Sequence, residues 1–311
     1  MCKSKEYKYR IYIYGMGNEY NRLSSFLKLY KDKLEILGIV TTEKQVVSKI
    51  DGYSCITVEE MNKNEMDYII IAVQKWREIA DILIKYEIDE EKIIRSTVFY
   101  YPNFNLDDYL RLKKSNITIL SNFCLGGVIY KELGLKVLSP TVNMFCLGKD
   151  YLEFVGNYKY YLQVEMKEFM QETYVDGTKG TNLFSPKGIL DNKIVWYFNH
   201  YIYASEAVRK WNERLKRVNL NNVAVIMTIQ SDEEARLFAQ LKVKKKIGIY
   251  HKELKIKDII YCPIWSEEKE RFKFNGNWTT AANCFLSNSR GYVSPINWID
   301  FLNGEEEYRR F

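Results

Sequence analysis

The chain has 311 residues, of which 47% are hydrophobic and 28% are charged, and its formal net charge is +6. This length is typical of two α/β domains, and the hydrophobic content allows each domain to bury a core. The composition excludes a disordered chain, which would combine low hydrophobicity with high net charge. Because the longest basic run is only Lys244–Lys246, we expect no nucleic-acid partner.

The N-terminus predicts no export. Residues Met1 to Lys8 are polar, and the apolar stretch Ile11–Tyr14 is too short for the core of a signal peptide. No run approaches the roughly 18 apolar residues of a membrane span, so we expect a cytoplasmic protein with no membrane span. The six cysteines form no C-x-x-C pair, so neither disulfides nor a metal site is expected. They are Cys2, Cys55, Cys124, Cys146, Cys262 and Cys284.

Residues 1–112 show strands that alternate with helices. This order predicts a small Rossmann-like domain with a doubly wound parallel sheet. The predicted strands are Tyr9–Tyr14, Leu34–Val40, Asp67–Val73 and Lys92–Arg95. One predicted helix runs from just after Gly17 to about Lys31, and a second covers Trp76–Tyr86.

The turn after the first strand carries Gly15 and Gly17, which are candidate cofactor-binding residues. Glycines there let the backbone approach a phosphate at a helix N-terminus. The third glycine of a dinucleotide-binding fingerprint is replaced by Tyr20, and the acid expected after the second strand is replaced by Thr41 and Thr42. The turn therefore either binds a nucleotide or is purely structural, and the sequence identifies no cofactor.

Several short motifs make this domain similar to the N-terminal domain of bacterial sugar O-acyltransferases. They are Tyr12-Ile13-Tyr14-Gly15-Met16-Gly17, Leu37-Gly38-Ile39-Val40, Asp51-Gly52 and Asp67-Tyr68-Ile69-Ile70-Ile71-Ala72. In that family the domain binds a nucleotide-sugar substrate, and the resemblance implies the same here.

Residues 113–311 predict a second, larger α/β domain. Its predicted strands are Asn116–Leu120, one starting at Ser139-Pro140-Thr141, Ile194–Phe198, Val223–Ile229 and Ile247–Tyr250. Three helices are predicted. The first ends at Gly134. The second is capped by Asp150 and carries Tyr158–Tyr161, and the third covers Glu206–Val218 with Ser205 as its cap.

This second domain resembles a bacterial family known as "exopolysaccharide biosynthesis" proteins. The resemblance rests on Ser121-Asn122-x-Cys124-x-Gly126-Gly127, Gly134-Leu135, Ser139-Pro140-Thr141, Pro186-x-Gly188, His200-Tyr201 and Trp211-x-x-Arg214-x-x-Arg217. Leu125 departs from the pattern, which typically has Trp there. The resemblance implies a pathway, cell-surface polysaccharide biosynthesis, and leaves the reaction open.

Three side chains that follow predicted strands are candidates for catalysis: Cys124, His200 and Asp232. Ligands of open α/β sheets lie at the carboxyl ends of strands. The partial positive charge of a helix N-terminus favours a thiolate, a histidine can take the thiol proton, and an acid can orient that histidine. The alternative is that Cys124 only packs, as buried cysteines commonly do.

A second group of residues is predicted to bind the phosphate of a substrate: Asn122, Gly126, Gly127, Ser139, Arg214 and Arg217. The glycines would expose backbone N–H groups, and the arginines could hold an anion bidentately. The alternatives are close helix–sheet packing for the glycines and a solvated helix face for the arginines.

These features lead to three hypotheses. The first is an enzyme of polysaccharide biosynthesis that binds an anionic small molecule, such as a nucleotide sugar or a sugar phosphate, and transfers a glycosyl or acyl group. The second is a non-catalytic nucleotide- or sugar-binding module or scaffold. The third is an acyltransferase or hydrolase that depends on Cys124. The substrate and the oligomeric state do not follow from the sequence.

Overall fold

The computed structural model describes residues 7–101, 103–170, 173–176, 181–184, 186–261, 296–306 and 308. The chain divides into two compact units, each of α/β type. The first consists of Met1–Leu106 and Glu132–Lys136, and the second of Asp107–Lys131 and Val137–Phe311. The predicted two-domain α/β fold is therefore confirmed.

The first unit contains a six-stranded sheet in the order β3-β4-β2-β1-β5-β6. All neighbouring strands are parallel except the short β3, which is antiparallel to β4. The strands are β1 (Tyr9–Tyr14), β2 (Leu34–Thr41), β3 (Lys49–Ile50), β4 (Tyr53–Thr57), β5 (Tyr68–Ile71) and β6 (Ile93–Arg95). The helices are α1 (Asn18–Leu27) and α2 (Trp76–Lys85). The β-branched central strands β1 and β5 are almost fully buried, as expected for a sheet covered on both faces.

The second unit contains a parallel sheet of four strands in the order β16-β15-β14-β7. The strands are β7 (Thr118–Ser121), β14 (Val223–Thr228), β15 (Lys245–Tyr250) and β16 (Ile259–Tyr261). All six residues of β14 are buried, because it lies in the interior of the sheet. The predicted strands near residues 116, 223 and 247 are those of this sheet.

An antiparallel sheet of four strands, β8-β13-β12-β9, and a separate hairpin, β10-β11, complete the strands described in the second unit. These strands are β8 (Phe145–Cys146), β9 (Glu168–Met170), β10 (Thr173–Asp176), β11 (Thr181–Phe184), β12 (Lys187–Leu190) and β13 (Ile194–Tyr197). The predicted strand near residue 194 is thus β13 of this antiparallel sheet. The strand expected to start at Ser139 was wrong, because residues 140–143 form a turn before β8.

The helices of the second unit are α3 (Leu106–Lys114), which begins at the last residue of the first unit, α4 (Leu125–Glu132), α5 (Gly148–Gly156), α6 (Tyr158–Tyr161), α7 (Ala204–Leu215), α8 (Asp232–Gln240) and α9 (Trp298–Asn303). The helices predicted to end at Gly134 and to start at Glu206 are present with shifted ends. The helix expected to carry Tyr158–Tyr161 is divided in two at Asn157, and those over Asp232–Gln240 and Trp298–Asn303 were not predicted. Gly134 follows α4 with φ +59°, as expected of a helix-ending glycine. The predicted Asp150 cap was wrong, because the N-cap of α5 is Leu147. Asp150 lies in the first turn, where its carboxylate accepts a bond from the Val195 N–H at 3.0 Å. The predicted Ser205 cap was wrong, because α7 begins at Ala204, two residues before the predicted start, and its N-cap is Tyr203.

One aromatic core joins the two four-stranded sheets of the second unit. Trp196 of β13 lies 5.2 Å from Phe154 of α5 and 5.3 Å from Trp211 of α7, measured between ring centroids. Leu120 of β7 and buried side chains of β14 belong to the same cluster. Because large rings pack only in a few geometries, this core fixes the end of β13 relative to the end of β7.

Among the described residues, no helix has the length and apolar content needed to cross a membrane.

Candidate active site

The structure brings together two of the three predicted catalytic residues. The Sγ atom of Cys124 lies 3.0 Å from Nε2 of His200, within hydrogen-bonding distance. Cys124 comes three residues after the end of β7 and immediately before α4, and its carbonyl accepts the first helical bond from the Val128 N–H at 3.0 Å. The thiol is therefore held at the N-terminus of α4, at the carboxyl end of the parallel sheet.

His200 reaches the thiol from the antiparallel sheet, in the turn that follows β13. The turn is held by two backbone bonds: Phe198 N–H donates to the Pro186 carbonyl at 2.7 Å, and Tyr201 N–H donates to the Phe198 carbonyl at 2.9 Å. Phe198 is fully buried, whereas His200 is exposed. The imidazole is therefore accessible to solvent while its backbone is anchored in the core.

Burial raises the pKa of the Cys124 thiol, and this effect exceeds two opposing ones. The Asn199 side chain and the backbone N–H of Cys124 itself hydrogen-bond to the sulfur and favour the thiolate. The thiol of Cys124 is consequently protonated at neutral pH. Asn199 is a site residue that the sequence analysis missed, and its position next to His200 was the only available signal.

Three parallel aromatic rings connect the two segments that carry Cys124 and His200. Phe123 stacks on Phe145 at 5.7 Å with an interplanar angle of 9°, and Phe145 stacks on Tyr197 at 4.5 Å with an angle of 13°. All three side chains are partly accessible. This stack ties the turn before α4 to the end of β13 and forms an apolar flank beside the thiol.

Asp232, the third predicted catalytic residue, is bonded elsewhere. It is the first residue of α8, and its carboxylate accepts bonds from the Tyr250 hydroxyl and, at 3.0 Å, from Lys252 Nζ. These bonds lower the pKa of Asp232. Within the part of the chain that the structure describes, no hydrogen bond joins Asp232 to His200, so we assign it no part in the site.

Asn122 and Ser139, two of the predicted phosphate-binding residues, use their side chains inside the protein. Asn122 is 1% exposed; its amide donates to the Thr228 carbonyl at 3.1 Å and accepts from the Thr228 N–H at 2.9 Å and hydroxyl at 3.1 Å. Ser139 is fully buried and bonds to Thr141, whose hydroxyl in turn accepts from the Ser121 N–H at 3.3 Å. Both side chains fasten the loops beside β7.

The glycines after Cys124 allow close packing of α4. A Cβ atom on Gly126 would lie 3.1 Å from Cβ of Ser121, and one on Gly127 would lie 3.0 Å from Cγ1 of Val142. Both distances are shorter than ordinary van der Waals contacts. The geometry supports the packing alternative for both residues.

The two arginines of α7 have different environments. Arg214 is half-buried, and its guanidinium donates to the Val142 carbonyl at 2.7 Å. Arg217 is exposed and lies two residues beyond the end of α7. Of these two arginines, only Arg217 has a guanidinium group that makes no hydrogen bond among the described residues.

In the first unit, Gly15 has φ +104°, and a Cβ atom there would lie 2.7 Å from Cγ1 of Val73 and 2.8 Å from the Ala72 carbonyl oxygen. Glycine is therefore required by backbone conformation and by the close approach of the chain after β5. Gly17 precedes α1 in extended conformation with open space around its Cα. The turn is explained without a ligand, although the space beside Gly17 is unfilled.

The described residues contain no cluster of three or more histidine, cysteine, aspartate or glutamate side chains that could hold a metal ion. The fold and the site define a two-domain α/β protein that carries a cysteine–histidine pair at the carboxyl end of a parallel sheet.

The chain belongs to the family described as Domain of unknown function (DUF1919), whose sequence profile matches residues 95–302. Residues 7–94 match the profile described as C2185-like, N-terminal. The two matches meet close to the division between the two structural units.

A protein of Haemophilus influenzae, described as uncharacterized, is 30% identical over 219 residues, which are 68% of this chain and 96% of the relative. Among solved structures, aspartate semialdehyde dehydrogenase II of Vibrio cholerae in complex with ASA has 8% identity and a TM-score of 0.24, with 76% of this chain and 78% of that chain covered. A second structure of that enzyme has 9% identity and a TM-score of 0.23, with 76% and 80% covered. Likenesses this weak carry no argument about this chain.

Proposed function

We propose that this protein is a cysteine-dependent acyl-transfer enzyme, a transferase or a hydrolase, with Cys124 as nucleophile and His200 as general base. The observation that carries the proposal is the 3.0 Å separation of Cys124 Sγ and His200 Nε2. A nucleophile within hydrogen-bonding distance of a base is the minimal arrangement for covalent acyl transfer.

The raised pKa of Cys124 determines how the attack proceeds. Because the resting thiol is protonated, its proton moves to Nε2 of His200 as the bond between sulfur and the acyl carbon forms. The imidazolium then gives this proton to the departing alcohol or amine. Water or an acceptor hydroxyl, deprotonated by the same imidazole, attacks the thioester, and the thiol is regenerated when His200 returns the proton.

Two hydrogen-bond donors lie beside the sulfur and are suited to the oxyanion that forms on the acyl group. They are the backbone N–H of Cys124 and the side-chain amide of Asn199. Donors held in place before the reaction stabilise developing negative charge without reorganisation, and the Cys124 N–H has the added advantage of lying at the N-terminus of α4. We therefore assign Asn199 a role in binding the oxyanion.

The assignment to a polysaccharide pathway rests only on the resemblance of the sequence motifs. An acyl group transferred to or from a sugar hydroxyl of a cell-surface polysaccharide or its precursor would agree with that resemblance. Glycosyl transfer, the other reaction considered from the sequence, gains no support from a thiol–imidazole pair.

The experiment uses the purified full chain and p-nitrophenyl acetate as a probe of acyl transfer. We expect a burst of p-nitrophenol and one acetyl group on Cys124, located by mass spectrometry of the intact protein and its peptides. Replacement of His200 by alanine should slow acetylation by roughly 10²–10⁴-fold, the usual contribution of a general base.

The matched control is Cys55, a partly buried free cysteine in the other unit whose thiol pKa is also raised by burial. Cys55→Ala should leave the burst unchanged, and Cys124→Ala should abolish it. Acetylation of Cys55 as fast as Cys124, or an unchanged burst in the His200→Ala variant, would refute the proposal and favour a non-catalytic binding module.

A further inference from the structure

A second candidate site lies at the other end of the parallel sheet. A groove of about 630 Å³ opens beside the first residues of β14 and β15, which are Val223 and Lys245. Cys124 follows the carboxyl end of β7, which runs parallel to β14. A six-residue strand spans about 20 Å, so the groove is separate from the thiol–imidazole pair.

The groove is strongly basic. Four of the described residues that line it are lysines and none is acidic. The lysines are Lys159, Lys242, Lys244 and Lys245. They come from two segments distant in sequence, around α6 and between α8 and β15. Like charges gathered on one concave surface raise the local concentration of anions.

Three of these lysines are available to a ligand. Lys159, Lys242 and Lys244 are exposed, and within the described residues none of them has a carboxylate within 4.0 Å. Lys245 differs, because its ammonium donates to the Asn222 side chain at 2.7 Å and to the Leu302 carbonyl at 2.8 Å. Lys245 therefore adds positive charge to the groove, but these two bonds hold its ammonium in place.

The remaining polar lining is suited to a neutral, hydroxyl-rich group. Tyr158 and Asn221 also line the groove. So do the ring of Tyr160, whose hydroxyl donates to Asp191 at 3.0 Å, and Asn157, whose amide donates to Glu153 at 3.5 Å. Aromatic faces and amide side chains are the groups that pack on and hydrogen-bond to sugar rings, and lysines bind phosphate as point charges. A cavity of this volume is large enough for a small ligand of sugar-phosphate or nucleotide-sugar size.

We propose that this groove binds a phosphorylated sugar, with the phosphate at Lys159, Lys242 and Lys244 and the sugar against the tyrosine and asparagine side chains. This inference is independent of the proposed acyl-transfer chemistry, because it involves neither Cys124 nor His200.

The test is calorimetric titration of the full chain at low ionic strength with glucose 1-phosphate, UDP-glucose, inorganic phosphate and glucose. We expect glucose 1-phosphate or UDP-glucose to bind more tightly than inorganic phosphate or glucose. Whichever of the first two binds more tightly identifies the source of the phosphate, a free sugar phosphate or a nucleotide sugar.

The Lys242→Gln/Lys244→Gln variant should bind the phosphorylated sugar about tenfold more weakly, with an unchanged melting temperature, because two charge-assisted contacts are lost from exposed side chains. The control is Lys149→Gln/Lys216→Gln, which removes the same charge from exposed lysines outside the groove lining. Equal affinity in the groove variant and the parent would overturn the proposal. The proposal would also be overturned if neither phosphorylated sugar bound, or if inorganic phosphate bound as tightly as the phosphorylated sugars.

Discussion

Replacement of Asn122 by alanine decides between a structural and a ligand-binding role for this residue. The side chain is 1% exposed and makes three hydrogen bonds, at 2.9–3.1 Å, all to Thr228 at the end of β14. Alanine would remove all three and leave the buried N–H and carbonyl of Thr228 without these partners. An unsatisfied buried polar group costs about 1–3 kcal/mol, so we expect a loss of about 3 kcal/mol in the free energy of unfolding.

For a unit of this size such a loss lowers the melting temperature by roughly 6–12 °C, which differential scanning calorimetry resolves. The control is Gln230→Ala, because that side chain is exposed and the bond recorded for this residue, to Glu234, comes from its backbone N–H; it should cost less than about 0.5 kcal/mol. A change in Asn122→Ala as small as in the control, together with weaker binding of a phosphorylated ligand, would refute the structural argument and restore the prediction made from the sequence.

Three further predictions concern the same region. Gly126→Ala should destabilise the protein by about 1–2 kcal/mol because its Cβ would press on β7, whereas Gly17→Ala, which meets open space, should change the melting temperature little. Arg214→Ala should cost about 1–2 kcal/mol through the carbonyl it leaves unbonded, and the exposed Arg217 should tolerate the same change in a denaturation series. Alkylation of Cys124 by iodoacetamide should keep rising with pH beyond the ordinary thiol pKa, because burial raises the pKa of this thiol and only the thiolate reacts; a rate plateau near pH 6 would instead indicate a preformed thiolate–imidazolium pair.

The parallel sheets could be predicted from the sequence because their strands are short, predominantly apolar runs. The runs Tyr9–Tyr14 and Val223–Thr228 are almost entirely buried, and such runs bounded by polar turns indicate interior strands. The antiparallel sheet could not be predicted as such. Its strand β8 has two residues, and β9 is exposed throughout, so neither shows a periodicity that distinguishes it from loop.

The candidate site could be predicted only in part, for a related reason. Polar residues follow most strands, so the position of Asp232 after β14 carried no information about its partner. The structure shows that partner to be Tyr250 with Lys252. The motifs of the family resemblance placed Asn122 and Ser139 in a binding site, although both are buried and bonded internally. A sequence pattern records which side chains are polar, and burial decides which of them are free to meet a ligand.

The pairing of Cys124 with His200 depends on packing that lies outside the site. Cys124 is held by the parallel sheet and His200 by the antiparallel one, so no single element fixes their separation of 3.0 Å. The fully buried Trp196 and Trp211, whose rings lie 5.3 Å apart, join the two sheets and α7. Since displacement of a catalytic group by about 1 Å can cost 10²-fold in rate, a smaller side chain at Trp211 should reduce acetylation of Cys124 without touching either reacting atom. The proposed chemistry at Cys124 therefore depends on the aromatic core as well as on His200.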